Sequence, residues 1–370
     1  MPIHAPQFVQ KLWAYCPAWP GIRQAIQATA AAILAYELAA YFALPQGYWA
    51  VMTAILVVQS SVGGSLGLAI DRFLATLLGA AVGGALLAAA GAGYGIPVPL
   101  GLGVLILTYA ATLRASMRLA PVTAAVVILA EPINGSAFAS AVNRVCEIGI
   151  GAGVAVAISL LLFPSRARIV LAAHVGTVLP MLAEHLKGTI GAALGTPRDG
   201  DAFLAFNDSI RAKLIAGGTL VSEAQREAAL QSSGYADPAA ILRTLRRLWY
   251  TSVAAARAAR APLPPAVLPL LEPALVQLRD AAVRYIEQLA QAFAAQAKLP
   301  DRQPVDGALT AMDAAMDSVR QTGVARTLST DEVARLFAFT FALRQLGVNL
   351  EDLEDRCAEL RSNFKTLPAK

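Results

Sequence analysis

Among the ionisable side chains of the first 165 residues, three carboxylates and one guanidinium have the types and spacing for chemistry: Glu37, Glu131, Arg144 and Glu147. Each borders or interrupts a long apolar run, where insertion of a charge costs roughly 2.5 to 3.5 kcal/mol, so an acid there is a functional candidate by default. Arg144 and Glu147 are three residues apart, one helical turn, and share a face. At 1.5 Å per residue Glu37 lies about 18 Å along its own stretch, and Glu131 closes another, so all four are expected at one depth near the outer face. Carboxylates beside a cation in a low-dielectric setting make a proton relay. The static reading is that Arg144 and Glu147 neutralise each other, Glu131 is solvated in a loop and Glu37 snorkels.

At the opposite ends of the apolar runs, Arg72, Arg114 and Arg118 are placed to attract an anionic substrate at the cytoplasmic face, or simply to fix orientation. Gln24, Gln27 and Gln59 can hydrogen-bond a substrate or a neighbouring helix. Signatures of hydrolases, nucleotide binding and zinc proteases are absent. The three histidines, His4, His174 and His185, and the three cysteines, Cys16, Cys146 and Cys357, lack ligand spacing, so neither enzyme activity nor a metal or other cofactor is expected. Arg243, Arg246 and Arg247 beside Trp249 and Tyr250 read as a solvated helix face or a lipid-headgroup contact, with no nucleic-acid partner.

The elements that position these groups follow from composition. Hydrophobic residues make up 56% of the 370, and charged residues only 15%, against about 25% in a soluble domain. Six apolar stretches, 25–44, 48–60 extending toward 68, 73–90, 96–113, 119–130 and 145–163, approach the length needed to cross a bilayer. Charges crowd into the remainder, so the boundary lies near Phe163–Pro164: a six-helix transmembrane domain over 1–166 and a cytoplasmic all-helical domain over 167–370. The N-terminus, broken by Pro17 and Pro20, is not expected to be a cleaved signal. With that terminus inside, Lys11, Arg23, Arg72, Arg114, Arg118, Arg166 and Arg168 all face the cytoplasm, and only Arg144 lies outside. Small residues must allow close helix approach in lipid, which singles out the pairs Gly79/Gly83 and Gly149/Gly153, with Gly84 and Gly151 beside them.

Beyond Pro164 the pattern turns amphipathic. Leu336, Phe339, Leu343, Leu346, Leu350, Leu353, Cys357 and Leu360 form a coiled-coil-like seam. Leu271, Leu275, Leu278, Ala282, Tyr285, Leu289 and Ala292 form another. Both helices are expected to pack antiparallel with shorter ones near 167–195, 200–232 and 238–260, with a stiff proline-rich linker around 262–269. The fold class is therefore all-α, a polytopic membrane protein with a helical cytoplasmic domain.

Residues 44 to 84, LPQGYWAVMTAILVVQSSVGGSLGLAIDRFLATLLGAAVGG, carry a tyrosine-tryptophan pair, then an arginine and a glycine-rich helix: Tyr48, Trp49, Arg72, Gly79 and Gly83. With NRVCEIGIGAGVAVAISLLLFP over 143–164, this run resembles the fusaric acid resistance, or aromatic acid exporter, family across residues 20 to 165. The match departs where the family reads arginine then glycine-threonine, since Ala75–Thr76 follow here. The resemblance implies efflux of small organic anions such as aromatic carboxylates across a bacterial inner membrane. Many members carry the six-helix unit twice and this chain once, which implies at least a homodimer. Proton coupling through Glu37 and Glu147 is expected, with membrane lipid, a small-molecule substrate and a periplasmic adaptor as partners. A passive anion channel, or a membrane anchor recruiting another protein, are the alternatives.

Overall fold

The computed structural model describes residues 19–90, 95–129, 137–164, 166–229, 237–294 and 297–365. Among these the regular elements are all helices, and they form two compact units, Met1–Ala167 and Arg168–Lys370.

The first unit contains α1 (Trp19–Tyr41), α2 (Tyr48–Val57), α3 (Val62–Ala90), α4 (Pro97–Leu113), a 3-10 turn at Ala115–Met117, α5 (Ala120–Leu129) and α6 (Ala137–Leu161). Its helices are inside-out relative to a water-soluble bundle. Ile33, Ile55, Leu74, Leu105, Ile106 and Leu161 are exposed, while Ala31, Ala35, Ala50, Ala54, Ala75, Ala120, Ala124 and Ala155 are buried. Large apolar chains outside and small ones between helices suit a lipid solvent, where close backbone approach replaces water exclusion. Val62–Ala90 and Phe138–Leu161 are long and apolar enough to cross a membrane; Tyr48–Val57, Pro97–Leu113 and Ala115–Leu129 are apolar but shorter.

One expected boundary moves. The second stretch stops at Val57 instead of running toward 68, and the third begins at Val62 instead of 73. Val58 is extended, with φ −65° and ψ 116°. The Ser61 hydroxyl accepts from Gly64 N at 2.9 Å, and the Ser65 hydroxyl from Gln59 N at 2.8 Å. Serine oxygens that satisfy free N–H groups start a new helix here, although the run looks continuously apolar. α1 ties down the carbonyls freed by this break. Arg23 Nη2 donates to Ser60 O (2.7 Å) and Gln24 Nε2 to Val58 O (3.3 Å), while Gln27 Nε2 donates to Leu162 O at the end of α6. Of the glutamines read as candidates, Gln24 and Gln27 thus serve as ties between elements, and Gln59 bonds locally to Leu56 O and Val58 O.

The glycine contacts correct a second expectation. A Cβ on Gly151 would overlap the Ala50 carbonyl oxygen and stand 2.9 Å from Thr53 Cβ, so α6 rests directly on α2. A Cβ on Gly79 would overlap the Ala120 carbonyl oxygen and stand 2.7 Å from Thr123 Cβ, so α3 rests on α5; Gly83 is nearly as close, 3.0 Å from Ala124. Gly79/Gly83 is therefore a packing pair. Gly149/Gly153 is not: Gly149 meets only the Phe73 ring at 3.4 Å and Gly153 nothing within 4 Å. Helix azimuth, not the count of glycines, decides which one is needed.

The second unit comprises α7 (Ala167–Ala193), α8 (Gly200–Ala229), α9 (Pro238–Ala258), α10 (Leu268–Ala294), α11 (Gln303–Gln321), a 3-10 turn at Val324–Thr327 and α12 (Thr330–Lys365). α9 starts where Asp237 accepts from Ala239 N at 2.9 Å with Pro238 in the first turn. α12 starts with a reciprocal cap, Glu332 Oε2 accepting from Ser329 N and the Ser329 hydroxyl from Glu332 N. The Asp237 carboxyl is held below its ordinary range, chiefly by the Ala239 N–H bond. α9 and α12 pack antiparallel: Thr244 Oγ1 donates to Asp352 Oδ2 (2.6 Å), and Asn349 Nδ2 to Thr251 Oγ1 (2.8 Å). The described residues of the α12 seam, from Leu336 to Cys357, are buried. α11 was not expected; its Val305, Ala308, Met312, Met316 and Val319 do face the core. α7 is itself long and apolar enough to span a membrane, although it falls in the region expected to be cytoplasmic. Half of its apolar window is buried, against 28% for α3.

Burial and the nearby Glu354 push the Cys357 thiol up to about 12. With Cys16 and Cys146 replaced by serine, a maleimide at pH 8 is therefore expected to leave Cys357 untouched until the protein is unfolded. Rapid labelling of the native chain would show the seam to be open.

A buried charge cluster in the six-helix unit

Arg144 and Glu147 project from the first half of α6 into the unit, and their side chains are 5% and 1% exposed. Arg144 Nη1 lies 3.2 Å from Glu147 Oε2, and Arg144 Nη2 donates to Gln46 Oε1 at 2.5 Å. Gln46 in turn donates its backbone N–H to Glu147 Oε1 at 2.9 Å. The three residues close a ring of charge-assisted hydrogen bonds that joins α6 to the turn before α2. The Arg144 guanidinium stacks over the Trp49 ring at 4.5 Å from its centroid, and Tyr48 packs beside Trp49 at 5.6 Å. Two buried donors, Arg144 Nε and Trp49 Nε1, have no acceptor among the described residues. The cluster can hold a proton or orient a small polar group, because its members are fixed by one another.

Sequence spacing brought Arg144 and Glu147 together correctly. Glu37 does not join them: it is exposed on α1, and no hydrogen bond or ion pair links it to a described residue. Position along one helix fixes depth but not direction, and the Glu37 side of α1 faces away from α6. Glu131 lies outside the described residues. Arg114 and Arg118 are exposed. Arg72 is not; it is only 7% exposed, with Nε donating to Thr53 Oγ1 at 3.4 Å. The early start of α3 carries it about 15 Å into the helix, away from the end at which it was expected. Gln46 was missed, since it falls between the first two apolar stretches. Its place before the Tyr48–Trp49 pair was the available signal.

The model of the fusaric acid resistance protein family matches residues 22–369. The chain belongs to that family. The match covers the second unit as well as the first, beyond residue 165 where the sequence motifs end. No curated protein sequence matches the chain. The fusaric acid resistance family is a family of membrane transport and efflux proteins, and with the apolar helices described above it makes this chain a multi-pass membrane protein. In that setting the Arg144–Glu147–Gln46 ring is a polar centre in an apolar surround.

Proposed function

We propose that the chain exports small organic anions, aromatic carboxylates among them, across a bacterial inner membrane, with export coupled to proton entry through Glu37 and Glu147. The observation that carries this reading is the buried polar ring around Arg144 in the unit of a transport-family protein, because ionisable groups are kept at such depth where ions or protons pass. The six helices of the first unit span the membrane, with the second unit on the cytoplasmic side, where Arg23, Arg114, Arg118, Arg166 and Arg168 would also gather. Exposed Arg114 and Arg118 attract the substrate there. Glu37, exposed beside Ile33, Tyr36 and Tyr41, supports assembly into at least a dimer. A carboxylate facing hydrocarbon is costly, and a second copy of α1 would cover it.

In everted vesicles, uptake of benzoate is expected to follow an inside-acid proton gradient and to collapse with a protonophore. Glu37→Gln should abolish the gradient-driven uptake while leaving benzoate exchange across the membrane intact. A voltage-driven current indifferent to that change would replace the exporter by a passive anion channel. Silent Glu37 and Arg144 variants, with function lost only on truncation after Pro164, would make the first unit an anchor for a partner-binding domain.

A further inference from the structure

The six-helix unit is built twice from the same plan. α1 ends at Tyr41 and α2 begins at Tyr48; α4 ends at Leu113 and α5 begins at Ala120, after the same interval. α2 and α5 are each 10 residues long and share an Ala-x-x-Thr-Ala sequence, Ala50 to Ala54 and Ala120 to Ala124. α3 and α6 each carry an arginine followed at the same spacing by the glycine that touches a short helix: Arg72 with Gly79, Arg144 with Gly151. The contacts are exchanged between halves, Gly79 resting on Ala120 and Thr123, and Gly151 on Ala50 and Thr53. A repeat of three spanning helices reverses its direction in the membrane, so the halves are inverted copies, and such repeats place ligand sites at their mutual interface.

The copies differ in several charges, Asp71 against Asn143 and Glu37 against Tyr109 among them, and one difference falls a turn from each arginine. Arg144 has Glu147 three residues on, and the corresponding residue after Arg72 is Ala75. No carboxylate lies within ion-pair distance of Arg72 among the described residues; the hydrogen bond of its guanidinium goes to Thr53, which is 0% exposed. A guanidinium remains charged at any physiological pH, and buried without an anion it is strongly destabilising. The first half thus keeps a cation whose counterpart the second half neutralises with its own side chain.

We propose that Arg72 is the carboxylate-binding residue of the transport pathway, with Thr53 beside it, and that Glu147 on Arg144 is the built-in equivalent of a bound substrate carboxylate. This rests on the exporter reading for the substrate class but not for the site. The test is the full-length protein purified in detergent, with thermal unfolding and binding measured against benzoate, its neutral isostere benzamide, and chloride at matched ionic strength. Benzoate should raise the melting temperature and benzamide should not. Arg72→Met should bind benzoate roughly ten- to a hundredfold more weakly, lose the benzoate-dependent shift, and melt no lower than the parent without ligand. Arg72→Lys should retain part of the response.

An Arg72→Met protein that fails to fold, or melts lower while still responding to benzoate, would show Arg72 to be a structural tie to Thr53 and overturn the proposal. An equal response to chloride would overturn the carboxylate assignment. Wild-type protein that binds benzoate through Arg72 yet moves none in vesicles would sink the exporter reading and leave the site standing.

Discussion

Gly151→Ala is expected to take the six-helix unit apart, while Gly153→Ala, two residues along the same helix, leaves it intact. The added methyl at 151 meets the Ala50 carbonyl oxygen, which belongs to a helix backbone and cannot rotate away, and then Thr53 Cβ at 2.9 Å. α6 must withdraw from α2. Overpacking a well-packed core typically costs about 1 to 3 kcal/mol. A backbone obstacle in the path of α6, the helix that carries Arg144 and Glu147, puts the loss at or above the top of that range. At 153 nothing lies within 4 Å, and removing a helix-interior glycine should add up to about 1 kcal/mol. Denaturant titration of the detergent-solubilised protein, read by tryptophan fluorescence, separates the two. Equal stability of both variants would mean that α2 and α6 are not in contact.

Glu147→Ala is expected to lower stability by about 3 to 5 kcal/mol, because it leaves Arg144 buried with no counter-charge and the Gln46 N–H with no acceptor. Glu147→Gln should cost less, since a carbonyl oxygen can still accept from Gln46. The double change Arg144→Met with Glu147→Leu should recover most of the loss, because the pair is removed as a unit and the ring is replaced by apolar volume. A double-mutant cycle with a coupling below about 0.5 kcal/mol would show the two charges to be independently solvated.

What the sequence disclosed and what it hid divide along a physical line. The apolar helices were legible because hydropathy is additive along the chain, and the Arg144–Glu147 pair because one turn of helix fixes both residues to one face. The break at Val58–Ser61 was hidden because serine oxygens that stop and restart a helix barely change the hydropathy of the run. Glu37 was joined to the cluster by depth alone, and rotation about α1 undid it. Arg72 read as an orientation marker because its helix was expected to begin beside it; starting at Val62, the helix carries it inward. α11 was missed although Val305, Ala308, Met312, Met316 and Val319 recur every three or four residues along it and face the core.

The brevity of α2 and α5 bears on how the chain enters the bilayer at all. Ten residues of helix rise about 15 Å, half of a hydrocarbon layer roughly 30 Å thick. Neither segment can partition into lipid alone as it leaves the insertion machinery. Each has to be held until its glycine-bearing partner arrives: α5 by α3, already synthesised, and α2 by α6, the last helix of the unit to emerge. Membrane integration of the unit is therefore completed only after residue 161 has been made, and a nascent chain stopped earlier carries a segment with nowhere to settle.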